Sequence, residues 1–498
     1  MRASGILLPV FSLPNKYGIG SFSKEAYEFV DFLKESGQKY WQILPLGPTS
    51  YGDSPYQSFS TFAGNPYFID VEDLMDRGYV TAADLKKYSA KSGDTIDYAK
   101  LYEKRFKLLK KAYENSNIGA DKKFKDFCKK NAFWLKDYAL YMAVKASFDN
   151  KAWNEWDEDI RLRDAKAVKA YTEKFKSEIE YYSFLQYLFN TQWLKLKKYA
   201  NKAGIEIIGD IPIYVAYDSA DVWAGPELFQ LDKKNLPTAV AGCPPDYFAK
   251  TGQLWGNPLY RWDYHKKTGY EWWISRIKYC FDLYDVVRID HFRGFDEYYS
   301  IPFKDKTAEF GVWKKGPGYD LFKAINNALG ERKIIAEDLG FLTDSVRDLV
   351  KKTGYPGMKI TQFGFGGGPE NEYLPHNLTK NSVIYPGTHD NETVRGWFER
   401  IEKTDKKSLK EFTDYTCCSD ATKAADTVIR ISMASVCDTC IIPLPDYLNL
   451  GNEARINIPS TLGGNWEWQA KKSYFTKKLS KEILNYTTIY GRLVKKHK

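Results

Sequence analysis

Val286-Val287-Arg288-Ile289-Asp290-His291-Phe292-Arg293-Gly294 is a short apolar run that ends in a burst of charge. The β-branched residues predict a strand. Arg288, Asp290, His291 and Arg293 crowd its exit, and Gly294 lets the backbone turn away. Burying charge is costly unless the charges are paired, so four ionisable groups in six positions need a reason. Residues two apart in a strand share a face. Arg288 would therefore lie beside Asp290 and hold it ionised, as a catalytic nucleophile requires. A surface salt bridge at a strand terminus is the other reading, because structural ion pairs perturb acids too.

Working outward, the same pattern recurs. Strands are predicted near residues 6, 42, 207, 287, 335, 361, 384 and 441, with helical stretches between most of them. The first unit is strand, helix (24–37), strand, which calls for parallel pairing. A long helix over 178–203 stops at Gly204, a natural C-cap. Eight strands in this rhythm predict a (β/α)8 TIM barrel with large inserted helical subdomains and a lid loop. The insertion is expected over 70–177, lysine-rich and helical, with Trp134, Trp153 and Trp156 as apolar anchors. The lid is expected over 241–258, a stretch rich in glycine, proline and aromatics without a period. An ordinary packed loop is its bland alternative. The whole chain, 1–498, is read as one catalytic barrel carrying both.

Composition narrows the function. The chain is 43% hydrophobic and 28% charged, which is the balance of a globular protein. Its net charge of +9 comes from scattered lysines, so no basic block points to nucleic acid. No apolar run reaches membrane-spanning length, and no signal peptide is recognisable. Seven cysteines fit free thiols in a reducing compartment: Cys437-x-x-Cys440 has no second pair to complete a zinc site. A cytoplasmic protein is expected, or a plastid one whose transit peptide has been removed.

Ionisable residues gather at strand exits and not at strand starts: Asp210, Asp290, Glu337 and Asp390. Such exits are where barrel enzymes build their sites. With five histidines a His-rich zinc site is not expected, no GxSxG elbow is present, and no P-loop is present. No cofactor is called for. Glycoside chemistry fits, since it needs one ionised carboxylate and one protonated carboxylic acid flanking a bond. Glu337, at a more apolar strand end, would be the proton donor.

The motifs SGILLPVFSLP (4–14), GIGSF (18–22), WQILPLGPT (41–49), SPYQSFSTFAGNP (54–66), GDIPIYV (209–215), PPDYF (244–248), TGQLWGNPLY (251–260), RIDHFRG (288–294), AEDLG (336–340), YLPHN (373–377), GTHDNET (387–393), GNEARIN (451–457) and GNW (464–466) run through nearly the whole chain. Together they resemble the amylomaltase (disproportionating enzyme) family of 4-α-glucanotransferases, relatives of the α-amylases. The resemblance implies that Asp290 is a nucleophile forming a covalent glucosyl-enzyme, Glu337 the general acid/base, and Asp390 a transition-state stabiliser binding sugar hydroxyls. It implies that Arg288, His291, His389 and Asp210 frame the donor sugar. Tyr56, Asp246, Tyr247, Phe248 and Trp255 would line the glucan path and the lid. The expected partners are an α-1,4-glucan donor and acceptor, with no nucleic acid and no membrane. Three positions depart from the family pattern: Gly366 where an aspartate is usual, Pro445 where a glutamine is usual, and Gln469 where an arginine is common. Net hydrolysis by the same carboxylates and a catalytically silent glucan-binding scaffold are the alternative functions.

Overall fold

The computed structural model describes residues 2–50, 52–90, 93–245, 250–340 and 342–494. Eight parallel strands close into a barrel: β1 (Ala3–Leu7), β2 (Tyr40–Gln42), β3 (Glu206–Pro212), β4 (Val286–Asp290), β5 (Ile334–Ala336), β6 (Gly357–Ile360), β7 (Ser382–Tyr385) and β8 (Thr439–Pro443). Each pairs with its neighbours in chain order, and β1 meets β8 from Ala3↔Thr439 to Leu7↔Pro443. All eight predicted strands are present. β3, β4 and β5 share an apolar run with β-branched residues that ends at a carboxylate: Asp210, Asp290 and Glu337.

Register decides what faces the barrel interior. Asp210 on β3 lies level with Arg288 on β4, and both side chains are buried at the core of the ring. Val287 and Ile289, one residue out of phase, join the main apolar core instead. The interior is polar at this height: the Tyr385 hydroxyl donates to Gln42 Oε1 at 2.8 Å. The seam between β1 and β8 is tied by Arg492, whose fully buried guanidinium donates to the carbonyls of Ala3 (3.0 Å) and Met433 (2.8 Å).

Between β2 and β3 the chain is helical, from Val71–Asp76 to the long helix Lys176–Ala203, which ends at left-handed Gly204. Trp134, Trp153 and Trp156 are all buried. The helix Ala132–Ser147 is clasped to the β3 exit by Lys145, 2.5 Å from Asp218 with its side chain only 4% exposed. The Trp153 indole adds a bond to the Tyr217 carbonyl at 2.7 Å.

Two expectations need correction. The strand expected near 361 ends at Ile360 and turns into a 3-10 helix, Thr361–Gly364, pinned by Gln362 N–H on the Pro386 carbonyl. The stretch 241–258 is not an aperiodic loop. Ala239–Cys243 and Gln253–Pro258 form two antiparallel strands of a four-stranded sheet completed by Glu297–Pro302 and Val312–Lys315. Glycines hid the pattern: a Cβ at Gly242 would lie 2.1 Å from the Gln253 carbonyl, so the close strand approach demands glycine. Cys437 and Cys440 are both buried and form no disulfide with each other. No helix among the described residues is long and apolar enough to cross a membrane.

Candidate active site

The C-terminal mouth of the barrel opens into a cleft of about 600 Å³ lined by Tyr56, Tyr214, Trp255, Asp290, His291, His389, Asp390 and Asn457, among others. Its floor is an ion-pair network. Arg288 Nη1 donates to both oxygens of Asp210 (2.7 and 2.6 Å), and Nη2 donates to Asp290 Oδ1 at 2.9 Å. The Arg288 Nε–H points at Met358 Sδ, 3.3 Å away. One buried guanidinium is thereby shared between two carboxylates, a geometry that its planar fork suits.

β4 and β5 run side by side with Ile289 level with Ala336. Extending that register by one residue sets Asp290 beside Glu337 on strands about 4.8 Å apart. His291 makes the junction. Its backbone is left-handed (φ 55°), which turns its N–H onto Glu337 Oε2 at 2.6 Å. The Leu339 N–H holds the other oxygen at 2.9 Å. The two acids differ in surroundings. Burial, and then the neighbouring charge of Asp290, pushes the Glu337 carboxyl well above the usual glutamate range. Burial also raises Asp290, but Arg288 pulls it back, so Glu337 is the one to keep the proton. Both backbone amides on Glu337 favour its charged form and are outweighed.

Tyr56 links the β2 exit to this network. Its hydroxyl donates to Asp210 Oδ2 at 2.9 Å and lies 2.9 Å from His389 Nε2. A hydroxyl has one proton, so the oxygen of Tyr56 accepts from His389 and fixes the proton on Nε2. The Tyr56 and His389 rings stack 5.4 Å apart. Trp255 stands edge-on to the His291 ring at 4.8 Å, and burial drops the His291 imidazole to about 3, which keeps it neutral. Asp390 sits on the opposite wall, its Oδ2 3.4 Å from His389 Nε2.

Asp210, Arg288, Asp290, Glu337, Tyr56, His389, Asp390, His291 and Trp255 are thus gathered at one barrel mouth. Asp246, Tyr247 and Phe248 lie outside the described residues. Asp338, adjacent to Glu337, turns away and accepts from the Met358 N–H at 2.7 Å. Gly366 does not line the cleft. Its amide and that of Gly368 donate to Glu411 (2.7 and 3.2 Å), with Gly366 at φ 100°. Pro445 lies in the short helix Leu444–Tyr447, and Gln469 is buried, donating to the Leu13 carbonyl at 3.0 Å. Sequence reasoning left Arg455 and Asn457 without a role, although both belong to the GNEARIN motif and touch Asp390 (2.7 and 2.6 Å). Among the described residues, no three His, Cys, Asp or Glu side chains converge on a point that could hold a metal ion.

The profile of the 4-alpha-glucanotransferase family matches residues 8–474. The chain belongs to this family. A 4-alpha-glucanotransferase of Clostridium butyricum is 51% identical over 485 residues, covering 97% of this chain and 99% of the relative. A plant member of the family, chloroplastic/amyloplastic, from Solanum tuberosum is 38% identical over 505 residues, covering 99% and 87%. The amylomaltase from Streptococcus agalactiae, solved in complex with acarbose, superposes with a TM-score of 0.95 at 44% identity, covering 99% of this chain and 100% of that one. The protein is an enzyme with the 4-alpha-glucanotransferase activity of the family, and its barrel is the amylomaltase barrel.

Proposed function

We propose that the reaction is a double displacement run by Asp290 and Glu337 on an α-1,4-glucan held in the cleft. The observation that carries this is the adjacency of two carboxyls in opposed surroundings: Asp290 on the shared guanidinium, Glu337 buried and clamped by two amides. Neighbouring strands match the separation of about 5–5.5 Å used by retaining glycosidases. In the first step an Asp290 oxygen attacks C1 of the donor sugar. The glycosidic C1–O bond breaks, and the proton of Glu337 goes to the departing 4-oxygen. A β-glucosyl ester to Asp290 results. In the second step Glu337, now ionised, takes the proton from the 4-OH of an acceptor glucan, whose oxygen attacks C1 and releases Asp290. Two inversions retain the α configuration.

Asp390, His389 and His291 would grip hydroxyls of the reacting sugar, and Tyr56 would offer its ring to that sugar. The Asp210–Arg288 pair sets the charge of the nucleophile from below. The paired strands Ala239–Cys243 and Gln253–Pro258, with Trp255 beside His291, would act as the lid that keeps water from the ester. The helical insertion between β2 and β3 would support the β3 exit through Lys145 and Asp218. The unbridged Cys437 and Cys440 favour a reducing compartment, a cytoplasm or a plastid.

Maltotriose resolved by chromatography tests the reading. The expected result is a ladder of longer maltooligosaccharides with released glucose at constant total reducing ends. Asp290→Asn and Glu337→Gln should each abolish it while the protein stays folded. Reducing ends that rise with time would mean hydrolysis, and activity retained in either variant would refute the roles.

A further inference from the structure

Asp390 is poorly held by its own neighbourhood. Its side chain is 41% exposed, so packing does not fix it. Within its turn its contacts are long: its N–H to Thr388 Oγ1 at 3.3 Å, and Oδ2 to His389 Nε2 at 3.4 Å. The short contacts come from more than sixty residues away. Arg455 Nη2 donates to the Asp390 carbonyl at 2.7 Å, and Asn457 Nδ2 donates to Asp390 Oδ1 at 2.6 Å. Asn457 N–H donates to the His389 carbonyl at 3.1 Å, and Arg455 Nε braces the Asn457 carbonyl at 2.8 Å. The same segment reaches further along: Asn452 Nδ2 donates to Glu392 Oε1 at 3.1 Å, and Asp446 Oδ1 accepts from the Val394 N–H at 2.8 Å.

We infer that residues 446–457, the segment that leaves β8, form a cradle that sets Asp390 in place, with Asn457 and Arg455 as its positioning residues. The inference rests on the reading of Asp390 as a sugar-binding carboxylate. Asn457 occupies Oδ1 with a donor, while Oδ2, with only the long 3.4 Å approach of His389 Nε2, faces the cleft to accept from sugar hydroxyls. The carboxylate is then oriented before substrate arrives and need not reorganise as charge develops at C1. Asn457 has to be neutral for this. An aspartate there would set a second negative charge on Asp390.

Acarbose binding to the full-length enzyme, measured by calorimetry for wild type, Asn457→Ala, Asp390→Ala and the double variant, tests the inference. A hydrogen bond to a charged group predicts that Asn457→Ala weakens acarbose by about tenfold to a hundredfold. In the Asp390→Ala background the same substitution should change nothing further. With maltotriose, Asn457→Ala should lower kcat with KM nearly unchanged. If Asn457→Ala failed to fold, the near-isosteric Asn457→Asp should still weaken acarbose and lower kcat with KM nearly unchanged, with Arg455→Lys lowering kcat in the same direction as Asn457→Ala. Equal losses in both backgrounds, or none in wild type, would overturn the cradle. Unchanged acarbose affinity in Asp390→Ala alone would instead overturn the role of Asp390.

Discussion

Replacing Arg288 by methionine removes the charge beneath Asp290 and leaves a side chain of comparable length. The guanidinium is 3% exposed and stands 2.9 Å from Asp290 Oδ1. Two unit charges with centres about 4 Å apart at an effective dielectric constant of about 20 interact by about 4 kcal/mol. That converts to about 3 pH units in the ionisation of Asp290. Arg288 favours the ionised form, so its loss raises the Asp290 pKa. A nucleophile must be ionised, so the acid limb of kcat/KM moves to higher pH by up to about 3 units. On that limb each unit is a factor of ten, which makes the loss up to about a thousandfold at a fixed acidic pH. Arg288→Lys keeps the charge but not the fork, and should move the limb less. The assay is maltotriose disproportionation from pH 4 to pH 9, with urea unfolding in parallel. Two carboxylates left facing each other without a cation should cost about 3–5 kcal/mol of stability at neutral pH. The Asp290 carboxyl, already raised by burial, would rise further, so this penalty shrinks as pH falls. An acid limb that stays in place in Arg288→Met would refute the claim that this arginine sets the charge of the nucleophile.

Gly366→Asp, toward the residue the resemblance led one to expect, should destabilise the protein by about 1–3 kcal/mol from the backbone alone, because φ is 100° and the new Cβ would lie 2.4 Å from Ser408 Oγ. An unchanged urea midpoint would show that the glycine is not required there. Asp446→Asn should stabilise the enzyme above neutrality. Burial pushes the Asp446 carboxyl up to about 7, above its unfolded value of about 3.9, so its contribution is fully present at low pH and is lost as pH rises towards 7. Asparagine still accepts the Val394 N–H, and the two proteins should match near pH 4 and diverge by a few kcal/mol at most at pH 8. Parallel stability curves across that window would refute it.

The barrel was legible because several strands repeat one local code: Val286-Val287, Ile334-Ile335 and Ile441-Ile442 precede polar or turning residues, and pairing in chain order follows from βαβ handedness. Asp290 and Glu337 were legible for the same reason, as carboxylates at strand exits. The four-stranded sheet was not, since its register depends on contacts between 239–243 and 297–302 and its glycines carry no hydrophobic period. The support of Asp390 was hidden for a related reason. Asn457 and Asp390 lie 67 positions apart, and a polar pair at that distance has no spacing rule to betray it. The Tyr56–His389 contact, 333 positions apart, is a stronger case.

The seam between β1 and β8 has a consequence in time. A chain emerging at about 5–20 residues per second offers β1 (Ala3–Leu7) long before its second neighbour β8 (Thr439–Pro443). Arg492, which binds the Ala3 carbonyl, follows it by 489 positions, a wait of roughly 25–100 s at those speeds. Throughout that interval one edge of β1 carries unpaired backbone groups, the kind of edge that recruits other chains. Asp290 and Glu337, at the exits of β4 and β5, are both made long before the ring can close. The vulnerable step in making this enzyme therefore lies at its seam, on the far side of the barrel from the chemistry, and conditions that slow synthesis or crowd nascent chains should lower its yield without altering the activity of the molecules that finish.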